Sequence, residues 1–132
     1  AMLEIDAFFM NEDRHTNNIA VIYNEKTQKY ELSPFFDQGL CMFADINQDY
    51  PIDQSLEYCL EKIEAKPFSS DFDIQLDAAE ELYGIQIGFQ FTFKDIQIYL
   101  QKNSENYPRE VIRRVEQLLR RQMRKYGYLM KK

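Results

Sequence analysis

Asn11-Glu12-Asp13-Arg14-His15-Thr16-Asn17-Asn18 opens the stretch that decides how this chain is read, and Pro34-Phe35-Phe36-Asp37-Gln38-Gly39 closes it. The first eight residues are polar and turn-like. Ile19-Ala20-Val21-Ile22-Tyr23 is rich in β-branched side chains and predicts a strand. Residues 24–28 form a polar turn, and Lys29-Tyr30-Glu31-Leu32 predicts the return strand of a hairpin. Ser33-Pro34 then ends regular structure, because proline has no N–H to offer a ladder. Just upstream, residues 3–10 are apolar on most sides and read as the end of a buried helix.

Downstream the patterning is helical. Residues 53–64 place Leu56, Cys59, Leu60 and Ile63 on one face, and Pro67 breaks the chain. Ser70 or Asp71 can cap a helix running to about Tyr83, with Gly84 just past its end. Gly88 marks another break, and residues 93–102 predict a shorter helix. Pro108 suits a first helical position. Beyond it, Val111, Ile112, Val115, Leu118, Leu119, Met123 and Tyr126 fall within roughly 140° of arc. Arg109, Arg113, Arg114, Arg120, Arg121 and Arg124 are expected on the opposite side. The predicted class is α+β, mostly α: a single domain over residues 1–132, with a short hairpin carrying a metal-binding loop on a helical body.

Composition is compatible with this picture. A chain of 132 residues suits one domain, and 45% hydrophobic with 14% aromatic residues argues against disorder. No apolar run approaches the ~20 residues that cross a bilayer, and no leader pattern is found. Cys41 and Cys59 lack metal-ligand spacing and read as reduced thiols of a cytoplasmic protein. Ala1 before Met2 reads as a cloning residue. The net charge of −6 is split: from residue 109 onward nine basic residues face two acidic ones, so the first 108 residues carry −13. Such a split suits either an anionic partner for the tail or packing of the tail near the protein's own acidic part. Phe89, Phe91 and Phe93 alternate with polar residues and read as a buried edge. Lys66, Lys94 and Lys102 are candidate phosphate grips but read as solvated lysines, and the arginine face reads as solvated rather than bound to nucleic acid.

The opening stretch carries the chemistry. Phosphoryl transfer needs a carboxylate to take or orient the proton of the attacking hydroxyl. It also needs Mg²⁺, held by hard oxygen ligands, typically a carboxylate and an amide. Asp13 and Asn18 have the five-residue spacing that kinases use for the base and the amide. Asp37, beyond the hairpin and before Gln38-Gly39, stands where the second carboxylate is required. Gly39 is expected to permit the sharp turn that aims it. These three side chains are expected to converge, with oxygens on the order of 4–8 Å apart around a site for one ion. The structural alternative is that Asp13 and Asn18 cap turns and Asp37 merely starts a loop.

The stretch resembles HipA-like bacterial serine/threonine kinases, whose catalytic loop reads Asp-x-His-x-x-Asn and whose metal loop is similar to Pro-x-x-Asp-x-Gly. The Asp-Arg-His form also resembles, more distantly, the loop of phosphatidylinositol 3/4-kinases. The resemblance implies that Asp13 is the catalytic base, that His15 shapes the loop, and that Asn18 and Asp37 bind cofactor and metal. It implies ATP, Mg²⁺ and a protein substrate, with a toxin–antitoxin setting as one role. The helical remainder is similar to the family's C-terminal lobe, but only residues 11–39 are motif-specific. Gly39, Gly84, Gly88 and Gly127 are isolated and follow Asp13, so no Gly-rich phosphate loop is present, and no strand with a candidate lysine precedes Asp13. The expectation is a C-terminal lobe, truncated and weak or inactive alone. The alternative is a non-catalytic interaction module binding a separate N-lobe chain, an antitoxin or nucleic acid. A lipid-kinase-like lobe ranks below both. Leu3, Ile5, Phe8, Phe9, Phe35 and Phe36 are expected to line a face left open to a partner or a second copy.

Overall fold

The computed structural model describes residues 1–131. Its elements run α1 (Met2–Phe9), β1 (Val21–Asn24), β2 (Lys29–Leu32), α2 (Leu56–Lys62), α3 (Phe72–Tyr83), α4 (Phe93–Lys102) and α5 (Arg109–Lys125), with single 3₁₀ turns at Thr16–Asn18 and Gly127–Leu129. The fold is α+β and mostly helical. Its one sheet, among the described residues, is the antiparallel hairpin β1–β2, with Val21 opposite Leu32 and Tyr23 opposite Tyr30.

The helices start where local chemistry satisfies their first N–H groups. Ser55 accepts from Tyr58 N–H at α2. Asp71 accepts from Asp73 and Ile74 N–H at α3. Thr92 and Asp95 form a reciprocal capping box at α4. Pro108 is the residue before α5 rather than its first helical position. Gly84 ends α3 at φ 68°, ψ −178°, a backbone conformation that essentially only glycine adopts.

The core gathers α1, α3 and α5 around Phe8, which is fully buried among Phe9, Phe89, Phe91 and Tyr126. Phe8 therefore does not line an open face; its burial removes one large apolar side chain from water, worth about 1.5–3 kcal/mol. Phe89 and Phe91 pack against the same core, and Phe89 bridges to Met130. At the centre of the buried face of α5 sits Gln122, fully buried, whose Nε2 donates to Ala7 C=O (3.0 Å) and Phe8 C=O (2.9 Å). Those carbonyls belong to the last turn of α1, where no intrahelical partner exists. Arg114 also departs from the expected polar face. It is buried and donates to the carbonyls of Tyr50 (2.7 Å), Pro51 (2.6 Å) and Gln54 (3.0 Å), tying α5 to the irregular segment before α2.

Candidate active site

The site forms where the segment after α1 meets the segment after β2. Asn11, fully buried, starts it: its Oδ1 accepts from Asp13 N–H (3.2 Å), and its Nδ2 donates to Asp6 (3.0 Å) and to Gln38 Oε1 (3.4 Å). Asn18 closes the loop, with Nδ2 donating to Asp13 C=O at 2.7 Å. Asn18 is thus a loop-closing residue, as the capping alternative holds. Its Oδ1 keeps no hydrogen bond within the described residues and remains a hard oxygen donor.

Arg14 joins the two halves. It is fully buried and reads Asp6 bidentately, Nε to Oδ2 at 2.8 Å and Nη2 to Oδ1 at 3.0 Å. Its Nη1 donates both to Asn18 C=O (3.2 Å) and to Phe36 C=O (3.0 Å). One guanidinium nitrogen therefore holds the residue proposed as amide ligand against the residue preceding Asp37. The Asp6 hydrogen bonds push the Arg14 guanidinium further above its ordinary range, against the cost of burial. Glu12 N–H donates to Leu40 C=O (3.3 Å) and Met42 N–H to Phe9 C=O (2.9 Å), completing the stitching of residues 9–18 to residues 36–42.

Asp37 is exposed, and its own backbone takes the left-handed conformation at φ 59°. This corrects the role expected of Gly39. Gly39 has no positive φ, and a Cβ there would meet only Asp37 Oδ1, at 3.9 Å. The turn is made by the aspartate, a residue type that tolerates this region. Met42 and Phe43 follow with φ 54° and 58°, bulky residues in a conformation that costs of order 1–3 kcal/mol each. Phe43 is nevertheless buried against Tyr50, with ring centres 5.1 Å apart, so the surrounding packing holds the strain.

Asp13 sits half-exposed between two bases. His15 Nδ1 accepts from Asn17 N–H (3.2 Å), so a neutral ring carries its proton on Nε2. That Nε2 lies 3.8 Å from Asp13 Oδ2. Lys66 Nζ lies 3.8 Å from Asp13 Oδ1. Glu12, Asp13, Leu40, Asp49, Tyr50, Lys62, Glu64 and Lys66 line one shallow depression. Within it Tyr50 O–H donates to Glu12. Burial pushes the Glu12 carboxyl up, opposed by that hydrogen bond, and burial with the same contact pushes the Tyr50 phenol up. No group of three or more His, Cys, Asp or Glu side chains gathers around a point among the described residues.

Sequence reasoning missed Asp6 and Tyr50, and set Lys66 aside as a solvated lysine. Asp6 lies eight residues before Arg14, a separation with no periodic signature, and the other two come from distant segments. Comparison of the chain with family models, with curated proteins and with solved structures finds no match.

Proposed function

We propose that this chain is the metal-binding and acceptor-positioning lobe of a HipA-like serine/threonine protein kinase. What carries the reading is Arg14, whose single Nη1 ties the Asn18 end of one loop to the Asp37 end of the other. The same guanidinium thereby brings the two motif segments into one cluster. In this reading Asn18 Oδ1 and the Asp37 carboxylate hold Mg²⁺, and Asp13 accepts the proton of the acceptor hydroxyl. The hydroxyl oxygen attacks the terminal phosphorus of ATP, the bond from that phosphorus to the bridging oxygen breaks, and ADP departs. Mg²⁺, when bound, neutralises charge on the phosphate oxygens. His15 contributes its Nε2–H beside Asp13 and holds the turn through Nδ1. The two free thiols fit a reducing, cytoplasmic setting. No helix among the described residues is long and apolar enough to cross a membrane.

A second reading, a non-catalytic interaction module built on the same fold, is favoured by one feature. The hairpin packs on no helix and exposes Val21, Ile22, Tyr30 and Leu32. A separate N-lobe chain or an antitoxin would cover it. Titration of the full chain with Mg²⁺ and ATP, followed by amide NMR, separates the two. The kinase reading expects Mg²⁺-dependent shifts at Asn18 and Asp37 in the presence of ATP, lost in Asn18→Ala and Asp37→Asn. Binding is expected to be weak and turnover slow, because positioning supplies most of the catalysis and this chain lacks a Gly-rich loop. Absence of shifts at both residues at millimolar Mg·ATP overturns the kinase reading and leaves the interaction module.

A further inference from the structure

We propose that Lys66 grips the terminal phosphoryl group of the nucleotide beside Asp13, a role that rests on the kinase reading above. Three observations carry it. The first is position. A hydroxyl handing its proton to Asp13 lies against that carboxylate, and the phosphorus it attacks lies one bond-forming distance away. An ammonium 3.8 Å from Asp13 Oδ1 is within reach of an oxygen on that phosphorus. At 3.8 Å the ammonium is not hydrogen-bonded to the carboxylate, so its three N–H donors are available to a second anion.

The second is that the backbone beneath Lys66 is built. Gln75 of α3 is buried, at 4% exposure, and its Nε2 donates to Lys66 C=O at 3.0 Å. Its Oε1 accepts from Phe68 N–H (2.8 Å) and Ser69 N–H (3.3 Å). Ala65 N–H donates to Ser70 C=O at 2.8 Å and closes the same loop. A buried amide thus fixes the point from which the Lys66 side chain leaves. Lys94 and Lys102, exposed on α4, have no comparable setting.

The third is charge. Glu12, Asp13, Asp49 and Glu64 share the depression, and a polyphosphate entering it meets repulsion unless a cation answers. Lys62 is committed elsewhere: its Nζ donates to Asp49 C=O at 2.8 Å and lies 3.4 Å from Asp49 Oδ1. Lys66 is the lysine of the depression that makes no hydrogen bond among the described residues. It supplies, from the helical side of the site, a phosphate contact for which no Gly-rich loop is present.

The test compares Mg·ATP with Mg·ADP on the full chain, by NMR titration and by acylation of lysines with a water-soluble active ester. Mg·ATP is expected to protect Lys66 from acylation and Mg·ADP is not, because ADP lacks the gripped group. Lys66→Met is expected to weaken Mg·ATP about tenfold, the scale of one charge-assisted hydrogen bond, and to leave Mg·ADP within about twofold. Lys66→Arg, which keeps the cation, is expected to recover most of the loss, a rescue that a purely structural role would not produce. Unchanged amide spectra outside the site establish that the variants fold. If Lys66→Met leaves Mg·ATP affinity unchanged, or weakens ATP and ADP alike, the assignment is overturned. In that case loss of binding in Asp37→Asn still upholds the kinase reading. If the unaltered chain binds neither nucleotide, both fall together.

Discussion

Arg14 shows how a single residue can be structural and still define a site. Every N–H direction it uses is taken: two to Asp6 and two to the carbonyls of Asn18 and Phe36. Two charges removed from water are costly, and the pair is sustained because its geometry is bidentate and both Nη1 hydrogens reach carbonyls, so four of the five N–H donors are taken. Removing one partner leaves the other charged and alone. Arg14→Met is therefore expected to destabilise the fold by about 3–5 kcal/mol, a large part of the stability of a chain this size. Arg14→Lys is expected to fall well short of the arginine, because a single ammonium cannot span a carboxylate and two carbonyls. Urea unfolding of both variants checks this. A loss below about 1 kcal/mol in Arg14→Met would mean that the two loops hold together without the guanidinium, and would remove the main support for a common site.

At the scale of elements, the chain separates what local chemistry dictates from what tertiary contact dictates. Gly39 and Gly84 illustrate the difference. Gly84 lies at φ 68° and ψ −178°, so Gly84→Ala is expected to cost about 1–3 kcal/mol. Gly39 has ordinary φ and open space for a methyl, so Gly39→Ala is expected to be neutral or to stabilise by up to about 1 kcal/mol. Thermal denaturation of the two variants gives the ordering directly; a Gly39→Ala variant as damaged as Gly84→Ala would contradict the backbone described for residues 37–39. The ends of α3 and the hairpin were legible in the sequence because Asp71, Gly84 and Pro34 act on their immediate neighbours, whereas the Thr92–Asp95 capping box that starts α4 was not read. The apolar arc of α5 was legible because its period is local too. What could not be read is every contact whose partner lies far along the chain. Gln122 is a polar residue in the middle of that arc, and its reason is a pair of carbonyls on α1. Arg114 counted as a surface charge until the carbonyls before α2 came within its reach. The candidate site divides in the same way: Asp13, Asn18 and Asp37 stand out by spacing, whereas Arg14's partner Asp6 and the approach of Lys66 to Asp13 are products of folding.

The buried core of the whole molecule is built without the hairpin, which lies outside it. A two-stranded ribbon is marginal in water unless a face of it is covered. Here Val21 and Tyr30 are 62% and 73% exposed, and no helix packs on either strand. Phe35, Phe36 and Leu40, in the segment that follows β2, are exposed as well. Exposed apolar surface on this scale usually marks an interface. The carboxylates beside it limit how two copies can meet. A face-to-face contact would oppose Asp13 and Asp37 with their own images, and that repulsion weakens only with distance, salt or an intervening cation. A contact through the outer hairpin residues buries apolar surface while keeping the carboxylates apart. The chain alone is therefore expected to self-associate weakly through the hairpin, more strongly as salt is raised. Tyr30→Lys and Val21→Lys, which place charge on that surface without touching the core, are expected to return it to a monomer with unchanged thermal stability of the helical half. Light scattering across concentration and ionic strength checks both trends. A strict monomer at high protein concentration, with hairpin amides as protected from exchange as those of α5, would show that the ribbon is stable uncovered, and the case for a partner on this face would lose its physical basis.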